Sequence, residues 1–251
     1  MKFKSFLIFA SLIIIGCKNN TLYDSKISQL EETSIIDLVP NIQKKGMKWL
    51  LKNMDTDDKN LLSTSFLIDN CNYAYEAWDN TPWGKVNESL FLEYVLPFSS
   101  LNERRDNWRQ DFYERFLPIV KNAKSAYEAA AILNNNIFEM VGVTYSTKRP
   151  KADQSPYESI DAGLASCTGL SFMLIDACRS VGIPARFVGT PMWYNNSGNH
   201  SWVEIWDNGW HFTGAFEPTG DRLNEGWFAS LAARAVEGHP EYGIYLSLIH
   251  I

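Results

Sequence analysis

The sequence has few of the residues on which metal centres, disulfide frameworks and nucleic-acid surfaces depend. Its 251 residues include four cysteines and four histidines, scattered without metal-ligand spacing, so we expect neither a metal site nor a cofactor. The 23 lysines and arginines are outnumbered by 29 acidic residues and form no cluster, which argues against a nucleic-acid partner. Internal repeats and low-complexity tracts are also absent. The 45% hydrophobic content, which includes nine tryptophans, indicates a globular protein with a sizeable core.

No apolar run is long enough for a mature transmembrane helix, but the N-terminus has the pattern of an export signal. Two lysines precede the apolar residues 6–15, and the segment ends in Ile14-Ile15-Gly16-Cys17, which resembles the lipobox of bacterial lipoproteins. We therefore predict that residues 1–17 are a lipoprotein signal peptide whose Cys17 is lipidated, and that residues 18–24 are a tether. The protein is then expected in the cell envelope, lipid-anchored on the periplasmic or surface side of the outer membrane.

Three further cysteines remain after Cys17. An odd number in an exported chain leaves at least one free thiol. Cys167 and Cys178 cannot bridge each other within one helix, because a separation of eleven residues places them about 16 Å apart. Two alternatives stay open for Cys71 and Cys178: a disulfide between them, or separate burial as small apolar side chains.

The first half of the chain is predicted to be mainly helical. Apolar residues recur at three- and four-residue spacing over residues 25–121, and prolines divide the pattern into short helices. The many tryptophans and tyrosines here serve either to line a groove or to pack between helices. Ser125 followed by Glu128 is typical of a capping box and predicts a helix that extends to about residue 140.

Residues 122–245 change in character and predict an α+β core. Cys167 begins a helix with one apolar face, which ends where Gly182 supplies a left-handed residue and Pro184 prevents continuation. Alternating residues predict strands over residues 185–189, 201–206 and 210–216. We therefore expect an α+β fold in which this helix packs on an antiparallel sheet, preceded by the helical N-terminal region.

Cys167 lies where a nucleophilic thiol benefits from the backbone. The first turn of a helix carries about half a positive charge and unpaired amides, which favour the thiolate. The same amides, including the N–H of Cys167, are candidate donors to the oxyanion of a tetrahedral intermediate. A buried structural cysteine at a helix start is the alternative.

The hairpin that follows His200 provides a candidate partner for its imidazole. Asn208-Gly209 is typical of a two-residue type I′ turn, which would pair Asp207 with Trp210. In that register Glu217 lies opposite His200 with Cβ atoms about 5 Å apart, close enough to orient the ring and stabilise its charged form. A three-residue loop or a bulge would shift the register by one residue and remove this pairing.

Taken in order, these residues resemble the transglutaminase-like superfamily, which has a papain-like thiol fold. The resemblance covers about residues 126–218, and its most specific parts are the sequences Gly182-Ile183-Pro184-Ala185-Arg186 and His200-Ser201-Trp202-Val203-Glu204. It implies that Cys167 is the nucleophile and that His200 is the general base and acid.

The sequence departs from the family pattern at the third catalytic residue. The family normally has an aspartate directly before a proline, shortly after the tryptophan of the next strand. Here Trp210 is followed by His211-Phe212-Thr213-Gly214, and the acid before the proline is Glu217. We assign Glu217 from the hairpin register and its Glu-Pro context, with Asp221 as the alternative.

The resemblance implies a thiol enzyme that attacks an amide carbonyl, releases an amine and leaves a thioester. We expect a peptide, protein or glycopeptide substrate, and hydrolysis rather than transamidation, because the sequence identifies no amine-acceptor site. Trp193, Trp202 and Trp227 are candidate walls of the substrate groove. The alternative function is a catalytically silent module that holds a glycan or peptide in an aromatic groove.

The last six residues, 246–251, do not continue the pattern before them. They resemble the translation of a transposon end used to build sequencing libraries, which predicts that they are not native and that the natural protein continues. A native edge strand is the alternative.

Overall fold

A computed structural model describes residues 20–247. The predictions for the signal peptide and for Cys17, and those for residues 248–251, lie outside the described residues. Short 3-10 helices cover Ile27–Gln29 and Asn41–Gln43. The α-helices are α1 (Asn20–Tyr23), α2 (Glu32–Ile36), α3 (Lys44–Asn53), α4 (Thr56–Leu61), α5 (Thr64–Asn80), α6 (Glu88–Tyr94), α7 (Arg109–Val120), α8 (Ala126–Val141), α9 (Pro156–Ala162), α10 (Cys167–Ser180) and α11 (Ala229–Ala232). The strands are β1 (Thr144–Tyr145), β2 (Leu164–Ala165), β3 (Ala185–Thr190), β4 (His200–Trp206), β5 (Trp210–Thr213) and β6 (Tyr245–Leu246).

The main sheet is antiparallel, with the strand order β5-β4-β3-β6, and α10 packs against β3 and β4. This arrangement confirms the predicted α+β fold, a helical region followed by a helix on an antiparallel sheet. Arg186 and Glu204 pair across β3 and β4, with Nη2 and Oε2 2.6 Å apart. The edge strand β6 places Leu246 opposite Val188. The non-native origin of residues 246–251 remains a prediction.

Three apolar clusters hold the described residues together. The first lies within residues 27–98 of the helical region. The second joins α7, α8 and α10 to one face of the sheet, so α7 packs with the core although it precedes the predicted boundary at residue 121. Because side chains alternate along a strand, the opposite face carries a third, smaller cluster. It consists of Val188, Trp193, Trp202 and Phe228.

Serine caps begin the helices that lead to the site. Ser125 accepts a hydrogen bond from the N–H of Glu128 (3.1 Å), as predicted, but the Glu128 carboxylate accepts from Lys124 rather than from the cap residue. The complete capping box lies instead at Ser155 and Glu158, which begin α9. Sequence analysis missed this helix, although serine followed three residues later by glutamate is the pattern that marks it.

The predicted register of the β4–β5 hairpin is wrong by one residue. Trp206 pairs with Trp210, so the loop contains three residues, and β5 ends at Thr213. The cause is a contact outside the hairpin: the Asp207 carboxylate accepts a hydrogen bond from the N–H of Tyr127 (2.9 Å), in the first turn of α8. Asp207 therefore caps that helix instead of extending the strand, and Glu217 does not face His200 across the sheet.

Two buried arginines join the helical region to the core. Arg109 donates to Asn70 Oδ1 (2.6 Å) and to the carbonyls of residues 95–97, and it also reaches the carbonyl of Arg179 (3.1 Å). Arg179 in turn donates to the carbonyl of Ser99 (2.7 Å). Most of these bonds satisfy buried carbonyls of the loop that follows α6. None of the described helices combines the length and the apolar character that a bilayer-spanning helix needs.

Candidate active site

Cys167 is the first residue of α10 and is partly exposed. The hydroxyl of the preceding Ser166 accepts hydrogen bonds from the amides of Thr168 (3.0 Å) and Gly169 (3.1 Å), and it donates to the carbonyl of Ala152. The backbone N–H of Cys167 lies in the same first turn but does not donate to the Ser166 hydroxyl. It is therefore the amide best placed to receive an oxyanion formed next to the sulfur.

His200 is the first residue of β4, and its side chain is buried beside Cys167. Only 5% of the residue is exposed. Its Nε2 lies 3.6 Å from Oε2 of Glu217, a distance within the range of an ion pair but longer than a normal hydrogen bond. Because Nε2 is directed at Glu217, Nδ1 is the ring nitrogen available to the thiol.

Glu217 reaches His200 through a turn, not through strand pairing. The side chain of Asn134, on α8, donates to Thr213 Oγ1 (2.9 Å) and to the Gly214 carbonyl (2.9 Å), and its oxygen accepts from the amide of Phe216 (3.0 Å). Phe216 adopts a left-handed conformation with φ of 64°, which turns the chain back toward the sheet. A Cβ at position 214 would overlap the Glu217 carboxylate and displace it from its position beside His200.

The electrostatics of this cluster favour a thiolate and an imidazolium. Burial alone would raise the pKa of the Cys167 thiol, but the hydrogen bond to His200 and the charge of that ring lower the pKa below its usual value. Burial likewise disfavours the charged imidazole, yet the contacts with Cys167 and with the Glu217 carboxylate raise the pKa of His200 to about 9. An ion pair between Cys167 and His200 is the expected form near neutral pH.

Ser201 is a site residue that sequence analysis missed. Its backbone amide and its hydroxyl both form hydrogen bonds with Cys167, and both contacts lower the thiol pKa. The hydroxyl also lies 3.0 Å from Thr168 Oγ1, so it is held between the sulfur and the first turn of α10. The available signal was its position directly after His200 in the most specific part of the family resemblance.

The predicted aromatic groove is wrong for two of its three residues. Trp193 and Trp202 are 3% and 4% exposed and belong to the small cluster behind the sheet. Trp227 is 60% exposed, and its ring centroid lies 4.8 Å from that of His200, as does the ring of Phe228. These aromatic rings enclose the histidine from behind, and none of them lines the cavity in front of Cys167.

The cavity in front of Cys167 and His200 has a volume of about 400 Å³. Its polar lining includes Arg149, Thr168 and Ser201, and the residues that give it an apolar wall are Leu101, Phe187, Pro191, Tyr245 and Leu246. The lining residues come from the first turn of α10, from β3, β4 and the edge strand β6, and from loops. The cavity was not predicted because it depends on how these separate elements pack together, which no local sequence pattern shows.

The other predicted residues lie away from this cluster or are inert. Asp221 is exposed and lines a separate surface cavity on α8 with Glu128 and Asn135.

Cys71 and Cys178 are both free and buried, so the predicted alternative of a disulfide between them is not formed. Burial raises the pKa of Cys71 to about 12 and also raises the pKa of Cys178. Residues 20–247 contain no group of three or more histidine, cysteine or acidic side chains suited to hold a metal ion.

A partly exposed cysteine at the start of a helix, packed beside a histidine on an antiparallel sheet, defines a thiol-enzyme fold. Residues 115–215 match the family described as the transglutaminase-like superfamily, a stretch that includes Cys167 and His200 and ends before Glu217. This part of the chain is therefore similar to a transglutaminase-like domain.

Comparison with other proteins adds little to this assignment. A solved structure named as a "putative cysteine protease" from Cytophaga hutchinsonii aligns with 19% identity and a TM-score of 0.39. The alignment covers 53% of this chain and 44% of that chain, which is less than half of its length. No curated protein matches the sequence significantly.

Proposed function

We propose that this protein is a cysteine-dependent amide-bond enzyme that acts through a thioester, with Cys167, His200 and Glu217 as its catalytic residues, and that it hydrolyses peptide, protein or glycopeptide substrates. The observation that carries the proposal is the hydrogen-bonded contact between Cys167 and His200, with the Glu217 carboxylate 3.6 Å behind the imidazole. A nucleophile, a base and an orienting acid in this order are what acyl transfer requires.

The reaction follows from the protonation states of the pair. The Cys167 thiolate attacks the amide carbon, and the resulting oxyanion is placed next to the Cys167 N–H. The His200 imidazolium gives its proton to the leaving nitrogen, so the C–N bond breaks and an amine departs. The thioester remains on Cys167. Neutral His200 then takes a proton from water, hydroxide adds to the thioester, and a carboxylic acid leaves as the thiolate and imidazolium are restored.

The location of the substrate is part of the proposal. Lipidation at Cys17 would hold the enzyme at the cell envelope, where peptides, proteins and glycopeptides are available. Hydrolysis is favoured over transfer to an amine because the lining of the cavity beside Cys167 contains no aspartate or glutamate that would select a primary amine.

The direct test is to incubate the full chain with casein and with a digest of bacterial cell-wall peptides, in the presence of dansylcadaverine. We expect new termini in the substrate, an acyl adduct on Cys167 in the intact mass spectrum, and no incorporation of the fluorescent amine. The Cys167→Ala variant should show none of these products. Incorporation of dansylcadaverine would assign transamidation instead. Binding without any Cys167-dependent product would support the silent module.

Replacing Glu217 by glutamine is expected to narrow the pH range over which Cys167 is reactive. Glu217 raises the pKa of His200, so its neutralisation lowers that pKa and moves the alkaline limit of the ion pair below about 9. The acid limit moves upward because the thiolate loses part of its partner. The rate of Cys167 alkylation between pH 4 and 10 measures both limits. Asp221→Asn is the matched control and should leave the pH dependence of Cys167 alkylation unchanged. If the pH limits shift in Asp221→Asn but not in Glu217→Gln, Asp221 rather than Glu217 is the acid that raises the pKa of His200.

A further inference from the structure

The cavity beside Cys167 has an unbalanced charge. Its lining contains no aspartate or glutamate, and its one permanently charged side chain is Arg149. The imidazolium of His200 is balanced by the Cys167 thiolate in the same cavity, so Arg149 supplies the net positive charge. This is unexpected in a chain whose formal net charge is −6, because acidic side chains are abundant elsewhere on its surface. A local positive potential in a small cavity attracts an anionic group of a ligand.

Arg149 also differs from the other arginines of residues 20–247. Five of them have a carboxylate within 4.0 Å: Arg104, Arg105, Arg115, Arg186 and Arg222. Three others donate to backbone carbonyls or a tyrosine hydroxyl: Arg109, Arg179 and Arg234. Within the described residues the guanidinium of Arg149 has neither kind of partner. Its five N–H donors are therefore available to a ligand.

The loop that carries Arg149 is fixed relative to the nucleophile. The Ser166 hydroxyl, one residue before Cys167, donates to the carbonyl of Ala152 on this loop. Gln154 donates to the carbonyl of Leu164 (3.0 Å), which ties the end of the loop to the strand that leads into α10. Arg149 is thus held on the wall of the cavity by the same elements that position the sulfur.

Resting on the proposed function, we propose that Arg149 determines substrate specificity by binding a carboxylate that lies close to the scissile amide. The substrate class is then an amide with a free carboxylate on a short, partly aliphatic segment. The guanidinium matches a carboxylate through two parallel hydrogen bonds, and the apolar wall formed by Leu101 and Phe187 accepts the methylene groups. A neutral amide of the same shape would leave the Arg149 charge unpaired and would bind less well.

Two small alkylating reagents test this assignment without knowledge of the natural substrate. Iodoacetate carries a carboxylate, whereas iodoacetamide is its neutral counterpart, and in both reactions the Cys167 thiolate displaces iodide and forms a thioether. The quantity measured is the ratio of the two rate constants at Cys167 in the full chain, with peptide mapping to separate this residue from the other cysteines. We expect Arg149→Gln to lower the iodoacetate-to-iodoacetamide ratio by about three- to tenfold.

Lys148→Gln is the matched control. It removes the same charge one residue away, from an exposed side chain that does not line the cavity. Lys148→Gln should leave the iodoacetate-to-iodoacetamide ratio nearly unchanged. Arg149→Lys should retain part of the preference for iodoacetate, because lysine keeps the positive charge but lacks the paired N–H donors of the guanidinium. Equal effects of Lys148→Gln and Arg149→Gln, or no effect of either, would overturn the assignment.

The neutral reagent separates this inference from the proposed function. If Cys167 reacts rapidly with iodoacetamide in the wild type and in Arg149→Gln, the thiolate and the fold are intact, and a missing charge preference refutes only the role of Arg149. If Cys167 shows the slow reaction of an ordinary thiol toward iodoacetamide in the wild type, the proposed function itself fails.

Discussion

Replacement of His200 by alanine is expected to slow the alkylation of Cys167 by iodoacetamide at pH 6 by about ten- to a hundredfold. An unpaired thiol with an ordinary pKa is only about 0.3% ionised at pH 6. The contact with His200 lowers the pKa of the Cys167 thiol, so a larger fraction of it is ionised at this pH. The lower intrinsic nucleophilicity of a low-pKa thiolate offsets part of this gain. Rate constants from intact mass, measured from pH 5 to 10, give the comparison. The difference should disappear toward the pH at which the His200 imidazolium loses its proton, about 9.

His211→Ala provides the matched control for this experiment. His211 lies on the same hairpin, where its Nε2 contacts the carbonyl of Asp207 (3.0 Å), but it is not part of the cluster around Cys167. Its loss perturbs the hairpin without removing the ion pair, so the low-pH reactivity of Cys167 should persist. Ordinary thiol profiles in both the wild type and the His200 variant would show that the ion pair does not form.

Replacement of Arg109 by methionine is expected to lower the free energy of unfolding by about 2 to 4 kcal/mol. Arg109 is 2% exposed, and its removal leaves the Val95 carbonyl and the side-chain oxygen of Asn70 without a donor. The Leu96 and Pro97 carbonyls lose one of two donors and keep Asn70 Nδ2 and Arg179 Nη1. Each unsatisfied buried acceptor costs about 1 kcal/mol or more. Methionine keeps most of the volume, so the loss reports hydrogen bonds rather than packing.

Urea unfolding of the full chain measures this effect. Arg115→Met is the matched control on the same helix, because Arg115 is half-exposed and pairs with Asp111 one turn away at 2.6 Å. An exposed pair of this kind contributes less than about 1 kcal/mol. Similar losses in the two variants would show that the buried hydrogen bonds of Arg109 do not hold the helical region on the core.

The parts of the fold that depend on neighbouring residues were predictable from the sequence. The helix that begins at Cys167 and the left-handed Gly182 that follows its end, with φ of 82°, have local signals. Strand β4 alternates as expected, and the α+β class follows from these elements. The short helix α9 was missed because residues 150–156 were interpreted as a polar loop, although Ser155 and Glu158 form a capping box.

The site needed contacts that no local pattern reveals. Asp207 sets the hairpin register through Tyr127, and Asn134 holds the turn that delivers Glu217; each contact joins residues about eighty positions apart in the chain. Glu217 therefore lies near His200, as anticipated, but by a different route. The tryptophans predicted to line a groove depend on such contacts as well: Trp202 stacks against Phe228 with ring centroids 5.0 Å apart and does not line the cavity.

Phe216 combines an unfavourable backbone conformation with a favourable side-chain contact. A residue other than glycine pays about 1 kcal/mol or more for a left-handed conformation, so glycine would make the folded protein more stable there. The phenylalanine ring, however, packs against Phe138 with centroids 5.4 Å apart and thereby restrains the turn before Glu217. The position of the Glu217 carboxylate therefore depends on a strained backbone residue that a ring contact on α8 holds in place.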